Sequence, residues 1–493
     1  METTQEHETP NQAESLKEKT AKGLFYGGLS VGFQQVVGLL MGILMGRLLL
    51  PEEFGMIAMI TVFSLIANEL QSSGFKTALT NLSHPTHQDY NSVFWFNIIV
   101  GAFIYVLLFL SAPLIADFYH EPRLVPLCRY AFLGFVFASM GLVQSAYLFK
   151  QFQAKQMAKA ASVAVVLSST VAVGMAACGF SYWSLATQTN LYIATNTFLL
   201  WHYSPWRPTW EFSLEPIRRM FRFSYKLLLS CIINDVNNSV LNVLLGSCYS
   251  SRAAGIFNQA YQWNYKCVYL LQGMLSQVSQ PVMVIAREDR DRQLHILRKL
   301  IRFTSFLSFP LLFGFSLVAV EFITATITDR WIESARIIQY LGICGAFMPL
   351  VTVFQNVLLS HGRSAVYMLS TVALFCCIIG MALLLAPLGM WAMVKGFVVI
   401  QLAWVLVWHY FVWKATGYSL KLFILDTMPF ALTAALVMAT VYLMTATLTH
   451  PLLLLGSRVI LAALFYYGVM KMAHVVVLDE CMAFIRQRLH KKK

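Results

Sequence analysis

About fourteen apolar stretches, each roughly 20–30 residues long, follow one another from Gly23 to Leu478 with almost no polar sequence between them. A bilayer core of about 30 Å takes about 20 apolar residues of helix to cross. The chain therefore reads as an all-α membrane protein with about 14 transmembrane helices and nearly all of its mass inside the bilayer. That restricts its work to transport, lipid-linked chemistry or signalling.

Only 12% of the 493 residues are charged, against about 25% in soluble domains. No stretch outside the spans is long enough to fold alone. Residues 1–22 are polar, read as a disordered cytoplasmic tail, and lack the apolar core of a cleavable signal peptide. The nine cysteines are scattered without a C-x-x-C pattern, so they argue for neither a disulfide framework nor a metal or cofactor site. Cys376 and Cys377, adjacent within a span, are expected to pack.

The net charge of +13 is a topology signal rather than a nucleic-acid footprint. With spans at roughly 23–48, 54–80, 91–116, 124–149, 160–180, 182–203, 223–246, 254–285, 300–326, 335–360, 364–387, 389–413, 422–447 and 453–478, about 26 of the 36 Lys and Arg residues fall on the side that holds both termini. Lys17, Lys19, Lys22, Lys150, Lys155, Arg218, Arg219 and Arg222 lie there, with the run 287–302 and the tail 486–493. Arg47, Arg123, Arg252 and Arg458 fall on the other side. An excess of positive charge marks the cytoplasmic face, so both termini are expected inside.

The chain divides into two similar six-span lobes and an extra pair. Gly46 and Gly55 bracket one outer turn, and Gly246 and Gly255 repeat them 200 positions on. Gly134 and Trp183 recur as Gly342 and Trp391. The expected organisation is a tail at 1–22, a lobe at 23–203, a linker at 204–222, a second lobe at 223–413, a helix pair at 414–478 and a basic tail at 479–493. Copies that each return to the starting side share one orientation, a known transporter arrangement, with a central cleft expected between the lobes. The second part of the linker, 214–222, interleaves basic and apolar residues and suits a short interfacial helix. The linker as a whole reads as a hinge or as a solvated connector.

No nucleophile elbow, phosphate loop or H-x-x-x-H pattern is placed for catalysis, so the chain is not expected to be an enzyme. Polar residues at membrane depth stand out instead, because polar groups there are expensive. Span seven carries Asn234, Asp235, Asn237, Asn238 and Asn242, with Asn234, Asn238 and Asn242 on one stripe. Span eight carries Asn258, Gln259, Gln262, Asn264 and Lys266. Gln34 and Gln35 in span one stand at the positions the 200-residue repeat assigns to Asn234 and Asp235. The candidate substrate cleft is therefore Lys266, Asn234, Asn238, Asn242, Gln262, Gln35 and Lys395. Asp235 and Glu69 are the candidate ion-coupling carboxylates. Alternatively, Asp235 and Lys266 simply pair. Lys76, Lys226 and Arg302 are shallow enough to snorkel, and Tyr119, Trp206, Trp331 and Trp413 read as interfacial anchors.

The run Gly46-Arg-Leu-Leu-Leu-Pro-Glu-Glu-Phe-Gly55, with Ser73-Gly-Phe75, resembles the opening of bacterial polysaccharide exporters of the multidrug/oligosaccharidyl-lipid/polysaccharide transporter superfamily. Phe94-Trp-Phe-Asn97, Tyr182-Trp-Ser-Leu185, Ala260-Tyr261, Gln280-Pro281, Phe309-Pro310, Asp329-Arg-Trp331 and Gln339-Tyr-Leu-Gly342 follow in order. The likeness is nearest to colanic-acid and teichuronic-acid exporters. It departs after span four, where Leu148-Phe-Lys-Gln-Phe-Gln-Ala-Lys155 replaces a more arginine-rich pattern. The resemblance implies a flippase for oligosaccharide units on undecaprenyl pyrophosphate. Its partners would be the lipid-linked oligosaccharide, the bilayer and a polysaccharide polymerase. Alternating access, with an ion gradient as the coupling source, would drive it. A multidrug antiporter on the same fold is the alternative, against which the cationic Lys266 and Lys395 weigh.

Overall fold

The computed structural model describes residues 10–72, 74–82, 85–286, 289–448, 450–475, 477–480 and 482–483. Residues 1–9, Ser73, Arg287-Glu288 and the tail 484–493 lie outside the described residues, as do the side chains of Lys17, Lys19, Lys22, Arg222, Lys226, Gln280 and Pro281. Every regular element among the described residues is helical. The chain forms two compact units, residues 1–239 and 240–493.

Residues 1–239 contain α1 (Pro10–Leu48), α2 (Pro51–Ser72), α3 (Phe75–Asn81), α4 (His87–Phe118), α5 (Leu124–Ala131), α6 (Gly134–Lys150), α7 (Ala154–Ala177), α8 (Trp183–Tyr203) and most of α9 (Leu214–Cys248). Helix α1 starts inside the segment expected to be a disordered tail; residues 10–22 are rich in Ala, Leu, Glu, Gln and Lys, which favour helix. Helix α7 packs on both α1 and α8 through a stripe of small buried residues at every fourth position, Ala160, Ala164, Ser168, Ala172 and Ala176. Small side chains let membrane helices approach closely, where packing rather than the hydrophobic effect drives association.

Residues 240–493 hold the end of α9 and α10 (Ser251–Ile285), α11 (Arg290–Thr326), α12 (Ile332–Gly345), α13 (Met348–Ser360), α14 (Ser364–Leu385), α15 (Met390–Thr416), α16 (Leu420–Met444) and α17 (Pro451–Met472). Side chains of Ser250, Asp289 and Ser419 cap α10, α11 and α16, accepting from amide groups that have no partner within the helix. The core gathers Phe309, Leu312, Phe354, Trp408 and Tyr418.

Eleven spans are long and apolar enough to cross a membrane among the described residues. Interspersed with them are α8 at 21 residues and α9 and α10 at 35 residues each, where the sixth, seventh and eighth spans are expected. At 1.5 Å per residue α9 and α10 are each about 52 Å long, so polarity and not length sets them apart. Leu110, Leu114, Leu384 and Leu443 are 68–78% exposed, as suits surfaces that face hydrocarbon.

Each unit breaks its fourth span. In the first, α5 stops at Ala131 and α6 begins at Gly134; Asn190 of α8 donates at 2.7 Å to the Tyr130 carbonyl, which also accepts from the Leu133 amide. In the second, α12 stops at Gly345 and α13 begins at Met348; Ser308 of α11 donates to the Ala346 carbonyl at 2.5 Å. A backbone group released at membrane depth needs such a partner.

Three of the four expected interfacial anchors are core residues. Tyr119 is 5% exposed and donates to the Met59 carbonyl at 3.0 Å, while Trp206 and Trp331 are 7% and 0% exposed. Aromatic bulk is buried where its polar tip can also be satisfied. Trp413 is exposed, as are Cys376 and Cys377, which lie on an outer face of α14 rather than in its packing.

The linker is a largely exposed connector pinned at a few points. Residues 204–213 are strapped to the start of α4: Thr209 N–H donates to Asn91 Oδ1 at 2.9 Å, and Asn91 donates to the Glu211 carbonyl. Trp95 Nε1 donates to the Thr209 carbonyl at 2.7 Å, and its ring stacks on Trp210 at 4.5 Å. Trp206 donates to His87, and Arg219 pairs with Asp89 at 2.6 Å. Residues 214–222 are the first turns of α9 rather than a separate interfacial helix.

Candidate functional site

The first unit holds an open polar cavity of about 360 Å³ between α2, α3, α6 and α8. Its shape follows from local sequence. Gly74 takes a left-handed φ of 69° between α2 and α3, a conformation glycine adopts at little steric cost. The chain turns there, and Lys76 of α3 joins the lining. On the opposite wall, a Cβ on Gly141 would sit 2.7 Å from Thr197 Oγ1. Glycine at 141 therefore sets the spacing of α6 and α8, and Thr197 donates back to the Phe137 carbonyl at 3.1 Å.

Asn68, Gln71 and Ser72 enter this cavity from α2, and Tyr192 and Asn196, one turn apart, from α8. Gln71 is 2% exposed, yet its Oε1 has no hydrogen-bond partner among the described residues. Asn97 and Gln144, both wholly buried on α4 and α6, likewise have neither amide atom partnered among the described residues. Sequence reading set Gln71 beside Glu69 at membrane depth but did not count Gln71, Asn97 or Gln144 among the site residues, although an amide in an apolar run is the signal that found Asn234 and Asn242.

Glu69 of α2 lies beside the cavity residue Asn68. Its carboxyl lies within electrostatic reach of Cys231 and Asp235 on α9. The two candidate coupling carboxylates, on α2 and α9, thus lie within electrostatic reach of each other in one unit. Asn234 is half-buried and engaged, Asn238 is exposed, and Asn242 is 8% exposed with its Oδ1 unpartnered among the described residues. Gln35 is exposed on α1; its neighbour Gln34 holds Ser30 and accepts from Tyr192 at 3.5 Å.

In the second unit, Lys266 is half-buried and its ammonium rests 4.2 Å from the centre of the Trp263 ring, three residues earlier on α10. Gln262 is exposed. Lys395 is exposed on α15 with its ammonium 5.7 Å from the Tyr340 ring. Asn264 is buried against Gly345, where a Cβ would stand 2.8 Å from its amide nitrogen.

The strongest electrostatics of that unit were not anticipated. Asp426, fully buried, accepts from Arg298 at 2.9 and 3.0 Å, from Arg302 at 2.5 Å and from Tyr418 at 3.2 Å. Arg302 is therefore paired rather than snorkelling freely. Arg458 of α17 pairs with Glu321 of α11 at 2.6 Å and donates to Thr445 at 3.1 Å. These pairs fasten α16 and α17 to α11. Among the described residues no group of His, Cys, Asp and Glu is arranged to hold a metal ion.

A sequence profile for the family described as "Polysaccharide biosynthesis protein" matches residues 44–336. The teichuronic acid biosynthesis protein TuaB of Bacillus subtilis is 28% identical over 352 residues, covering 70% of each chain. The lipopolysaccharide biosynthesis protein WzxC of Escherichia coli is 24% identical over 355 residues, covering 71% of each chain. Among solved structures, the lipid II flippase MurJ in an inward closed conformation superposes with a TM-score of 0.73 at 12% identity, over 91% of this chain and 99% of that one. An inward-facing multidrug resistance MATE family transporter superposes with a TM-score of 0.63 at 14% identity, over 78% and 94%. At identities this low the superpositions establish a shared fold.

Proposed function

The chain belongs to the polysaccharide biosynthesis protein family, and from that premise we propose that it is a flippase for lipid-linked oligosaccharide. It turns units carried on undecaprenyl pyrophosphate from the cytoplasmic to the outer face of a bacterial inner membrane, for assembly of a surface polysaccharide by a polymerase. The observation that carries this reading is the family match across residues 44–336. The names of the relatives, which concern teichuronic acid and lipopolysaccharide biosynthesis, support it.

The chemistry fits the task. A sugar headgroup brings many hydroxyls into a region where each unmatched polar group costs several kcal/mol. Asn68, Gln71 and Asn196 on α2 and α8, and Asn238 and Gln262 on the polar helices α9 and α10, offer amides, and Lys266 and Lys395 add positive charge suited to phosphate. Glu69 and Asp235, within electrostatic reach of each other, would be the groups that exchange a proton or cation, because neighbouring carboxylates favour a bound proton or ion. Alternating access with such coupling is the working mechanism. A multidrug antiporter shares the fold, but a cationic drug has no reason to favour the lysines.

A strain lacking this protein tests the reading. Loss of surface polymer, with the lipid-linked unit accumulating on the cytoplasmic leaflet and both restored by the gene, is the expected result. Normal polymer in the deletion strain overturns it. Within the complemented strain, Lys266→Ala and Asp235→Ala should each lower polymer while the protein stays inserted. Recovery in the double variant would instead mark the two residues as a structural pair.

A further inference from the structure

We propose that the cavity of the first unit is a seat for one acidic sugar residue, a hexose ring bearing a carboxylate or phosphate, with Lys76 holding the anionic group. The proposal rests on the flippase reading and specifies what part of the headgroup one unit grips. At about 360 Å³ the cavity lies at the small end of ligand pockets, which run about 300–1,000 Å³. That is room for a single ring or two.

Its lining is chemically selective. Asn68, Gln71 and Asn196 each present an amide that both donates and accepts, the pattern that adjacent ring hydroxyls can meet. None of the three has a side-chain partner among the described residues, and the Oε1 of Gln71 is buried at 2% residue exposure without one. A buried acceptor left unmade costs about 1–3 kcal/mol, so a ligand hydroxyl that donates to it gains from the encounter. Leu142 and Ile193 supply an apolar patch for the C–H face of a ring.

Among the described residues Lys76 is the one charged residue of the lining. Among the described residues it has no carboxylate partner, in contrast to the paired Arg298, Arg302 and Arg458. An unmatched ammonium without any acid in the wall selects against cations and for an anion. A ring of hydroxyls with one negative group satisfies the amides and the ammonium together.

The test uses the full chain in lipid nanodiscs, with glucuronate, glucose and inorganic pyrophosphate as probes titrated by saturation-transfer NMR. Glucuronate should bind at least fivefold more tightly than glucose. Lys76→Gln should erase that preference, Lys76→Arg should keep it, and Gln71→Leu should weaken both sugars at least threefold. Displacement of glucuronate by pyrophosphate would assign Lys76 to the lipid carrier's phosphate and overturn the proposal; glucuronate binding undisturbed by pyrophosphate supports it. Equal binding of glucose and glucuronate, or an unchanged glucuronate affinity in Lys76→Gln, overturns the proposal. These failures are separate from that of the flippase reading, which falls only if the deletion strain keeps its polymer.

Discussion

Within residues 240–493, buried charge is matched: Asp426 sits between two arginines and a tyrosine, and Arg458 meets Glu321. Within residues 1–239 the pattern reverses. Asp89 pairs with Arg219 and helps hold the strap, and Asn190 and Thr197 donate to carbonyls of α5 and α6, but other acidic and amide groups there are not matched in that way. Glu69 faces the like charge of Asp235, and Gln71, Asn97 and Gln144 carry unpartnered amide atoms. Matched charge has finished its work once the helices are packed. Open polar groups at membrane depth are costly unless something visits them. The contrast separates a fastening from a candidate site, and each of the following substitutions strikes one side of it.

The largest effect is expected at Arg458→Ala. Arg458 and Glu321 have side-chain exposures of 6% and 14%, and removing one member of a buried pair strands the other at a cost of about 3–5 kcal/mol. Thermal unfolding of the purified protein should register the loss, and Arg458→Ala with Glu321→Ala should recover part of it. An unchanged midpoint in Arg458→Ala would break the distinction at its strongest point. Asp426→Ala should cost less, about 2–3 kcal/mol, because Arg298 and Arg302 are 32% and 44% exposed and can turn to water.

A change of opposite sign is expected in the first unit. Gln144→Met removes a fully buried amide with no partner among the described residues, and methionine fills a similar volume with a flexible apolar chain. Stability should stay level or rise by about 1 kcal/mol. A loss larger than that would show that Gln144 is committed to packing in the way Asp426 is.

Much of this fold was legible because the bilayer imposes a simple length rule, and helices such as α4, α7 and α15 obey it. Trp183 and Trp391 both fall in the first turn of their helices, α8 and α15, as the internal repeat implies. The polarity of α9 and α10 was legible as well. What stayed hidden was which polar groups meet. Asp426 and Arg298 are 128 residues apart, and Arg458 and Glu321 are 137 apart; no local pattern signals such pairing. The break before α13 left a sign in Pro349, which favours a helix start. The strap at 204–213 left none, since its hold comes from backbone groups meeting Asn91 and Trp95.

The smallest effect on the fold is expected where the sharpest effect on transport should lie, at Glu69→Gln and Asp235→Asn. Each change keeps size and hydrogen-bonding capacity while removing one of two like charges, on α2 and α9, that lie within electrostatic reach of each other. Nothing attractive is lost between the carboxylates, so unfolding midpoints should move by no more than about 0.5 kcal/mol, as for substitutions outside a packed network. If the pair cycles a proton or cation, either variant should nonetheless lower surface polymer severalfold, and the double variant should be no worse than the single ones. A fall in stability comparable with Asp426→Ala would instead mean that Glu69 and Asp235 already hold a fixed partner. The carboxylates would then belong with the fastenings of the second unit, and the coupling role would pass to other groups.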